Sequence, residues 1–151
     1  MIRYVDGDLI KLANNNQFDV IFHCCNCFCT MGSGIAPQIK NAFPEAYEAD
    51  CKTVSGDNNK LGTISYTENT SPIVVNLYGQ FGYGNRKFGK PDVNYDALRS
   101  AIKLMKEKFS GKLFGGPKIG AGLAGGDWSI IEKILEEEMR GEFVTIVNYV
   151  P

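Results

Sequence analysis

The chain has 151 residues, of which 44% are hydrophobic and 22% charged, and its formal net charge is −1. This length suits one hydrophobic core, so we expect a single domain over residues 1–151. The sequence has no excess or block of basic residues, which a groove for nucleic acid would normally show. No apolar run reaches the roughly 20 residues of a membrane-spanning helix. We therefore expect a cytoplasmic, monomeric protein that binds neither nucleic acid nor membranes.

Short apolar runs alternate with helical patterns along the chain. The run Phe18–Cys24 is apolar on both faces, which is typical of a central strand. Short β-rich runs predict the remaining strands at Ile2–Val5, Thr63–Tyr66, Ile73–Tyr78, Lys112–Gly115 and Glu142–Val150. Helical spacing predicts helices at 34–43, Glu45–Lys52, Asn94–Phe109 and Trp128–Arg140. This alternation predicts an α/β fold, a three-layer α/β/α domain with a mixed, mostly parallel central sheet.

Four of the five cysteines crowd into the segment HCCNCFC, and Cys51 stands apart. Near neighbours on one strand bridge poorly, which argues against a disulfide framework. The segment also lacks the spaced pairs of a zinc site. We interpret these cysteines as buried, reduced, small hydrophobic residues, and we expect no metal.

Glycines are densest between Gly120 and Gly126, after an apolar segment and before an amphipathic helix. Such a loop turns backbone N–H groups toward a phosphate, with the positive end of the helix dipole behind them. The loop Met31-Gly32-Ser33-Gly34 fits the same use, or a plain strand-to-helix turn that Ser33 caps. Because both loops follow strands, we expect them at the same edge of the sheet, around a ligand with more than one phosphate.

Polar side chains stand beside both loops. Asp127 precedes the last helix, where it suits an N-cap or a group that orients a water molecule. His23 is the only histidine. It suits either a buried structural role or that of an acid near the phosphate. The long loop Gln80–Pro91 has no periodicity, and its aromatic residues suit covering a ligand or packing the loop on its own domain; they are Phe81, Tyr83 and Phe88.

In their order and spacing these features resemble the macro domain family, over nearly all of the chain. The resemblance begins with Gly7-Asp8-Leu9 after the first strand and Asn26 at the end of the next. It continues through the loop 31–36 and the Gly-x-Gly at 120–122. Within the family, the loop 31–36, the segment 76–80 and the run 122–128 are most similar to the branch of ADP-ribose 1''-phosphate phosphatases.

The resemblance implies a pocket for ADP-ribose or ADP-ribose 1''-phosphate and no cofactor. Asp8 would bind the adenine amino group, Asn26 the distal ribose, and the two glycine loops the phosphates. The residues that it implies as ligand-binding are Gly7, Asp8, Leu9, Asn26, Met31, Gly32, Ser33, Gly34, Ile35, Gln80, Ile119, Gly120, Ala121, Gly122, Leu123 and Ala124. It also implies a catalytic aspartate and histidine, which fall on Asp127 and His23.

A neighbouring branch removes ADP-ribose from glutamate side chains with a lysine and an aspartate. Gln80 and Ala124 stand at those positions here, and a glutamine cannot form the covalent adduct. Two alternatives stay open: a hydrolase that releases ADP-ribose from protein, nucleic acid or an acetyl ester, and a non-catalytic reader of ADP-ribose. A dinucleotide-binding fold is disfavoured, because too little chain follows residues 120–125 for another βαβ unit.

Overall fold

The computed structural model describes residues 2–84, 91–122 and 124–151. Its strands are β1 (Ile2–Gly7), β2 (Val20–Cys24), β3 (Ile64–Tyr66), β4 (Ile73–Leu77), β5 (Leu113–Gly116) and β6 (Phe143–Tyr149). Its helices are α1 (Leu9–Asn14), α2 (Ala36–Ala42), α3 (Pro44–Cys51), α4 (Tyr95–Phe109) and α5 (Trp128–Glu138), with a short 3₁₀ turn at Asn58–Lys60. No helix in these described segments is long and apolar enough to cross a membrane.

The strands form one six-stranded sheet in the order β1-β6-β5-β2-β4-β3. Neighbouring strands run parallel except β3, which pairs with β4 in the antiparallel sense. This confirms the predicted mixed, mostly parallel sheet. Because β2 and β5 are adjacent and parallel, the loops that follow them leave the sheet at the same edge.

Helices cover both faces of the sheet. Val20 and Phe22 of β2 point to the face that α4 and α5 cover, whereas Ile21 points to the face that α1, α2 and α3 cover. A strand buried on both sides needs apolar residues at consecutive positions. The continuous apolar run of β2 therefore agrees with its central place in the sheet, where both of its faces are buried.

Helix α1 was not predicted from the sequence. It has only six residues, and the Oδ1 atom of Asp8 caps it by accepting hydrogen bonds from the amides of Ile10 and Lys11. So short a helix depends on its cap and on packing, since isolated helices of this length are unstable. Its buried residues Leu9 and Ala13 join the core beneath the sheet.

Strand β5 runs close to two aromatic rings. A Cβ atom added at Gly116 would lie 2.3 Å from the ring of Phe22, and one at Gly115 would lie 2.6 Å from the ring of Phe18. Only glycine fits at these two positions. Strand β5 ends at Gly116, so the loop that carries the second glycine cluster begins directly after this close approach.

Candidate ligand-binding site

Two neighbouring cavities lie at the carboxyl ends of the central strands. The first cavity has a volume of about 470 Å³ and is lined by both glycine loops. The second has a volume of about 450 Å³ and lies between α1, α2 and the end of β6. Ile35 and Pro117 line both cavities, so the two cavities adjoin each other, and we call the pair the groove. This confirms that the two loops face the same site.

The loop after β2 presents unused amides to the first cavity. Left-handed backbone at Met31 (φ 41°) and Gly34 (φ 65°) turns the chain just before α2. Among the hydrogen bonds of the described residues, none has the amide of Gly32, Ser33 or Gly34 as its donor. Exposed N–H groups in a tight turn attract anions. The loop therefore has the chemistry of a phosphate cradle.

The loop after β5 is closed by its own backbone. The amide of Gly126 donates to the carbonyl of Gly120 at 2.8 Å, and that of Gly125 donates to the carbonyl of Gly122 at 3.0 Å. A Cβ atom on Gly126 would lie 2.5 Å from the carbonyl oxygen of Gly120, so this closure requires glycine. The carbonyl of Ala124 also accepts from the amide of Asp92 at 2.8 Å, which holds that aspartate at the rim of the first cavity.

Polar side chains contribute to the lining of the first cavity. Asn26 accepts from the amide of Phe28 at 2.8 Å and donates to the hydroxyl of Thr30 at 2.7 Å, so its own loop fixes its orientation. Gln80 donates to the carbonyl of Gly82 at 2.9 Å. Asn26, Gln80 and Asp92 all line this cavity. The arrangement offers both donors and acceptors to a polar ligand.

His23 lies in the sheet core and does not line either cavity. Its side chain is fully buried, and its Nε2 atom lies 2.6 Å from the Oδ1 atom of Asn76. The thiol of Cys25 also lies within 3.4 Å of the ring. Burial lowers the pKa of His23 to about 4, although the hydrogen bond to Asn76 opposes that shift. The imidazole is therefore neutral at pH 7.

Asp127 caps α5 and does not line either cavity. Its Oδ1 atom accepts from the amide of Ser129 at 2.9 Å and from the Ser129 hydroxyl at 2.7 Å. These hydrogen bonds, the hydroxyl first, lower the pKa of Asp127. The structure therefore does not bring Asp127 and His23 together at the groove, and their catalytic roles stay predictions.

Most of the residues expected to bind the ligand do line the groove. The first cavity is lined by Asn26, Met31, Gly32, Ser33, Gly34, Ile35, Gln80, Ile119, Gly120, Gly122 and Ala124. Asp8 and Leu9 line the second, together with Ile35. Gly7 and Ala121 line neither cavity, although each adjoins a residue that does. Leu123 lies outside the described residues.

Three thiols of the cysteine segment, those of Cys24, Cys25 and Cys27, stay protonated. Cys25 and Cys27 are buried, and Cys24 and Cys29 are partly buried. Burial raises the pKa of Cys24 to about 12 and that of Cys27 to about 11. A thiol that stays protonated is a poor nucleophile. Cys51 is exposed, contrary to the expectation that the cysteines are buried.

Two aromatic residues of the long loop pack edge-on against Phe28. The distance between ring centroids is 5.1 Å for Phe81 and 6.3 Å for Tyr83. Tyr83 also lines the first cavity, and its expected role in covering a ligand stays a prediction. Phe88 and the rest of residues 85–90 lie outside the described part of the chain.

Comparison with known proteins decides the family. Residues 22–135 match the sequence model described as Macro domain. This chain belongs to the macro domain family. It is 37% identical to an uncharacterized 17.5 kDa protein of the tk-vs intergenic region of Enterobacteria phage T4, over 100% of this chain and 98% of that protein.

Two relatives of this macro domain carry the names of enzymes. It is 29% identical to an ADP-ribose 1''-phosphate phosphatase of Debaryomyces hansenii, covering 91% of this chain and 93% of that one. It is 28% identical to the ADP-ribose glycohydrolase OARD1 of Bos taurus, covering 98% and 90%. Both named activities are hydrolytic.

Solved structures agree with the fold of this macro domain. A protein of unknown function from Bacteroides thetaiotaomicron superposes with a TM-score of 0.79 at 26% identity, over 99% of this chain and 98% of that one. Thermosipho africanus DarTG in complex with ADP-ribose superposes with a TM-score of 0.69 at 18% identity, over 99% of this chain and 42% of that one. At such identity the second likeness concerns the fold alone.

Sequence reasoning missed several residues that line the groove of this macro domain. In the first cavity they include Asp50, Asp92 and Lys118, and in the second Lys11 and Tyr149. The sequence offers one signal for Asp92, which is the carboxylate directly after the long loop Gln80–Pro91. Nothing in the local sequence marks Asp50, which reads as one more polar residue on a short helix.

Proposed function

We propose that this macro domain binds ADP-ribose along the groove and hydrolyses the phosphate ester of ADP-ribose 1''-phosphate. The observation that carries this proposal is that two adjoining cavities share Ile35 and Pro117, with the unused amides of the loop 32–34 directly before Ile35 in the chain. An elongated ligand with a diphosphate in its middle fits this arrangement. Its adenine would then lie in the second cavity and its terminal ribose in the first.

The second cavity suits adenine. Its lining combines apolar side chains with Asp8, whose Oδ1 atom is held by the start of α1. Because the Asp8 carboxylate accepts hydrogen bonds, it suits the exocyclic amino group. Tyr149, which is 66% exposed, lies at the same cavity and offers its ring to the base.

We assign the attacking water to Asp92. Among the described residues, the carboxylates that line the first cavity are Asp50 and Asp92; Asp50 is 1% exposed, whereas Asp92 is half-buried. Asp92 would orient a water molecule and accept its proton as that water attacks phosphorus. The bond between phosphorus and the ribose oxygen breaks, and inorganic phosphate leaves. The proton that Asp92 accepted passes to the ribose oxygen, which becomes a hydroxyl, and Asp92 returns to its carboxylate form. Loop amides would stabilise the charge on the phosphoryl group.

The names of the relatives support a hydrolase, and they leave two activities to distinguish, that of a phosphatase and that of a glycohydrolase. A phosphatase and a glycohydrolase are similar to this chain at 29% and 28% identity. Gln80 and Ala124 replace the lysine and aspartate expected of a glutamate-directed glycohydrolase. This replacement favours the phosphatase, and release of ADP-ribose from an ADP-ribosylated peptide is the second activity to assay.

The test combines calorimetric titration with ADP-ribose and phosphate release from ADP-ribose 1''-phosphate. We expect Asp92→Asn to bind ADP-ribose as the wild type does, and to release phosphate about 100-fold more slowly, the usual scale of a lost general base. Asp96→Asn, at an exposed carboxylate in the first turn of α4, is the matched control and should match the wild type.

Three results would contradict the proposal. Wild-type protein that fails to bind ADP-ribose would overturn the binding site. Tight binding without phosphate release would make the domain a reader. Normal phosphate release by Asp92→Asn would remove Asp92 from the mechanism while leaving the phosphatase in place.

A further inference from the structure

A buried ion pair underlies the first cavity, outside the machinery assigned above. Asp50 and Lys60 have side chains that are 1% and 4% exposed, and the Lys60 ammonium lies 3.3 Å from the Oδ1 atom of Asp50. The ammonium also lies 3.3 Å from the thiol of Cys29 and 4.4 Å from the centroid of the Tyr78 ring. Moving two charges out of water costs free energy of desolvation, so a buried ion pair indicates a role beyond stability.

A directed chain of hydrogen bonds ends on Asp50. Asn76 accepts from His23 through its oxygen and donates through its nitrogen to the hydroxyl of Ser65 at 2.9 Å. Ser65 lies 2.6 Å from the Tyr78 hydroxyl, which donates to the Oδ1 atom of Asp50 at 2.6 Å. Burial, with the hydrogen bond to Asp50, raises the pKa of Tyr78, so Tyr78 keeps its proton and remains a donor.

Because a carboxylate can only accept hydrogen bonds, each group in this chain donates to the next one toward Asp50. The chain therefore runs from the centre of the sheet to the floor of the cavity. It fixes Asp50 as the terminal acceptor and holds its position. Linked hydrogen bonds also strengthen one another in a medium of low dielectric constant.

Only one oxygen of Asp50 is used in this way. Both hydrogen bonds to its carboxylate end on Oδ1. Within the described chain, every fully buried side-chain nitrogen or oxygen has a hydrogen-bond partner, so Oδ2 is not fully enclosed. The space that Asp50 borders is the first cavity. The carboxylate of Asp50 thus keeps one acceptor oxygen that the ion pair and Tyr78 do not use, on a side chain that lines the cavity.

The complementary ligand group must be a donor. Phosphate oxygens accept hydrogen bonds and carry negative charge, so a carboxylate repels them. Ribose hydroxyls are donors, and the pairing with Lys60 leaves the site without net charge. We infer that Asp50 accepts a hydrogen bond from a hydroxyl of the terminal ribose and so selects ADP-ribose over ADP. This inference rests on the proposed binding of ADP-ribose in the groove.

The test compares two nucleotides on one variant. In Asp50→Leu/Lys60→Met both charges are replaced by apolar groups of similar size, a change that proteins often tolerate. We expect the double variant to lose about tenfold or more in affinity for ADP-ribose, the scale of a hydrogen bond to a charged group, and to bind ADP, which lacks the terminal ribose, as the wild type does. Calorimetric titration with each nucleotide measures both affinities.

Thr67→Val is the control for destabilisation alone. Thr67 is buried, its hydroxyl lies 2.5 Å from that of Thr70, and it lines neither cavity. This variant should keep the wild-type ratio of the two affinities. If the double variant loses the same factor of affinity for ADP and for ADP-ribose, or loses affinity for neither, the inferred role of Asp50 is overturned. A wild type that binds no ADP-ribose would instead overturn the proposed function.

A second measurement uses unmodified protein, should the double variant not fold. Wild-type protein is titrated with ADP-ribose that lacks the 2'' or the 3'' hydroxyl of the terminal ribose. We expect one of these analogues to lose about tenfold or more in affinity, because its hydroxyl is the missing donor. Affinities equal to that of ADP-ribose for both analogues would overturn the inference.

Discussion

Asp127 is a residue for which sequence and structure favour different roles. Its carboxylate accepts from the amide and the hydroxyl of Ser129 at the start of α5, and it does not line the groove. We expect Asp127→Ala to lower the midpoint of urea denaturation, because the helix loses its cap, and to leave phosphate release near the wild-type rate. Asp127→Ser, which can cap the helix, should restore the midpoint.

The opposite result would favour the role that the family resemblance implies. If Asp127→Ala unfolds at the wild-type urea concentration but releases no phosphate, then Asp127 is catalytic. Denaturation and phosphate release, measured on the same preparation, therefore separate a cap from a catalyst.

His23 links protein stability to pH. The unfolded chain takes up a proton at this histidine near pH 6.5, whereas the folded protein does so only near pH 4, because the ring is buried. Between these values the unfolded state binds more protons, so stability falls as the pH falls. We expect His23 to lower the free energy of unfolding by about 2 kcal/mol between pH 7 and pH 5.

Denaturation of His23→Gln over the same pH range checks this expectation. Glutamine does not titrate and can still donate to Asn76, so the variant should lose less stability than the wild type between pH 7 and pH 5. The same loss in both proteins would mean that other groups cause it.

At the scale of elements, β5 couples the core to the ligand site. The Cβ atom of Gly116→Ala would lie 2.3 Å from the fully buried ring of Phe22, so the ring or the strand would have to shift. We expect this variant to lose about 1–3 kcal/mol of stability, the usual cost of overpacking. Because β5 leads directly into the loop 117–126, the affinity of the Gly116→Ala variant for ADP-ribose should fall as well.

Leu113→Ala is the matched control on the same strand. Leu113 is 47% exposed, so its truncation should change neither stability nor affinity appreciably. Chemical denaturation and titration with ADP-ribose measure both effects. A Gly116→Ala protein with wild-type stability would show that the ring of Phe22 can move after all.

At the scale of the whole molecule, the sequence predicted the features that follow from local patterns. Apolar runs with turn signals indicated the strands of the sheet, and strand–helix alternation indicated its mostly parallel order. Parallel neighbours share an edge, so the order of strands and loops along the chain was enough to place the two glycine loops together. Asn26 and Gln80 line the cavity for the same reason, since each follows a strand.

The features that the sequence did not predict depend on contacts between distant residues. Asp50 and Lys60 look like ordinary exposed charges, and they are buried only in the folded chain, where Lys60 of the 3₁₀ turn meets Asp50 of α3. Asp92 reaches the cavity because its backbone pairs with Ala124, more than thirty positions away. Helix α1 is too short for periodicity to reveal. None of these contacts leaves a mark in a short window of sequence.

The parallel pairing of β1 with β6 has a practical consequence for handling the protein. Ile2 pairs with Val144 at the amino edge of the sheet, and Gly7 pairs with Tyr149 at the edge that holds both cavities. A solid support or fusion partner joined ahead of Ile2 would therefore stand at the far end of the molecule from the groove. One joined beyond Val150, whose amide donates to the carbonyl of Gly7, would stand beside the adenine end. Immobilisation through the amino end thus leaves the groove open for capturing nucleotides from solution.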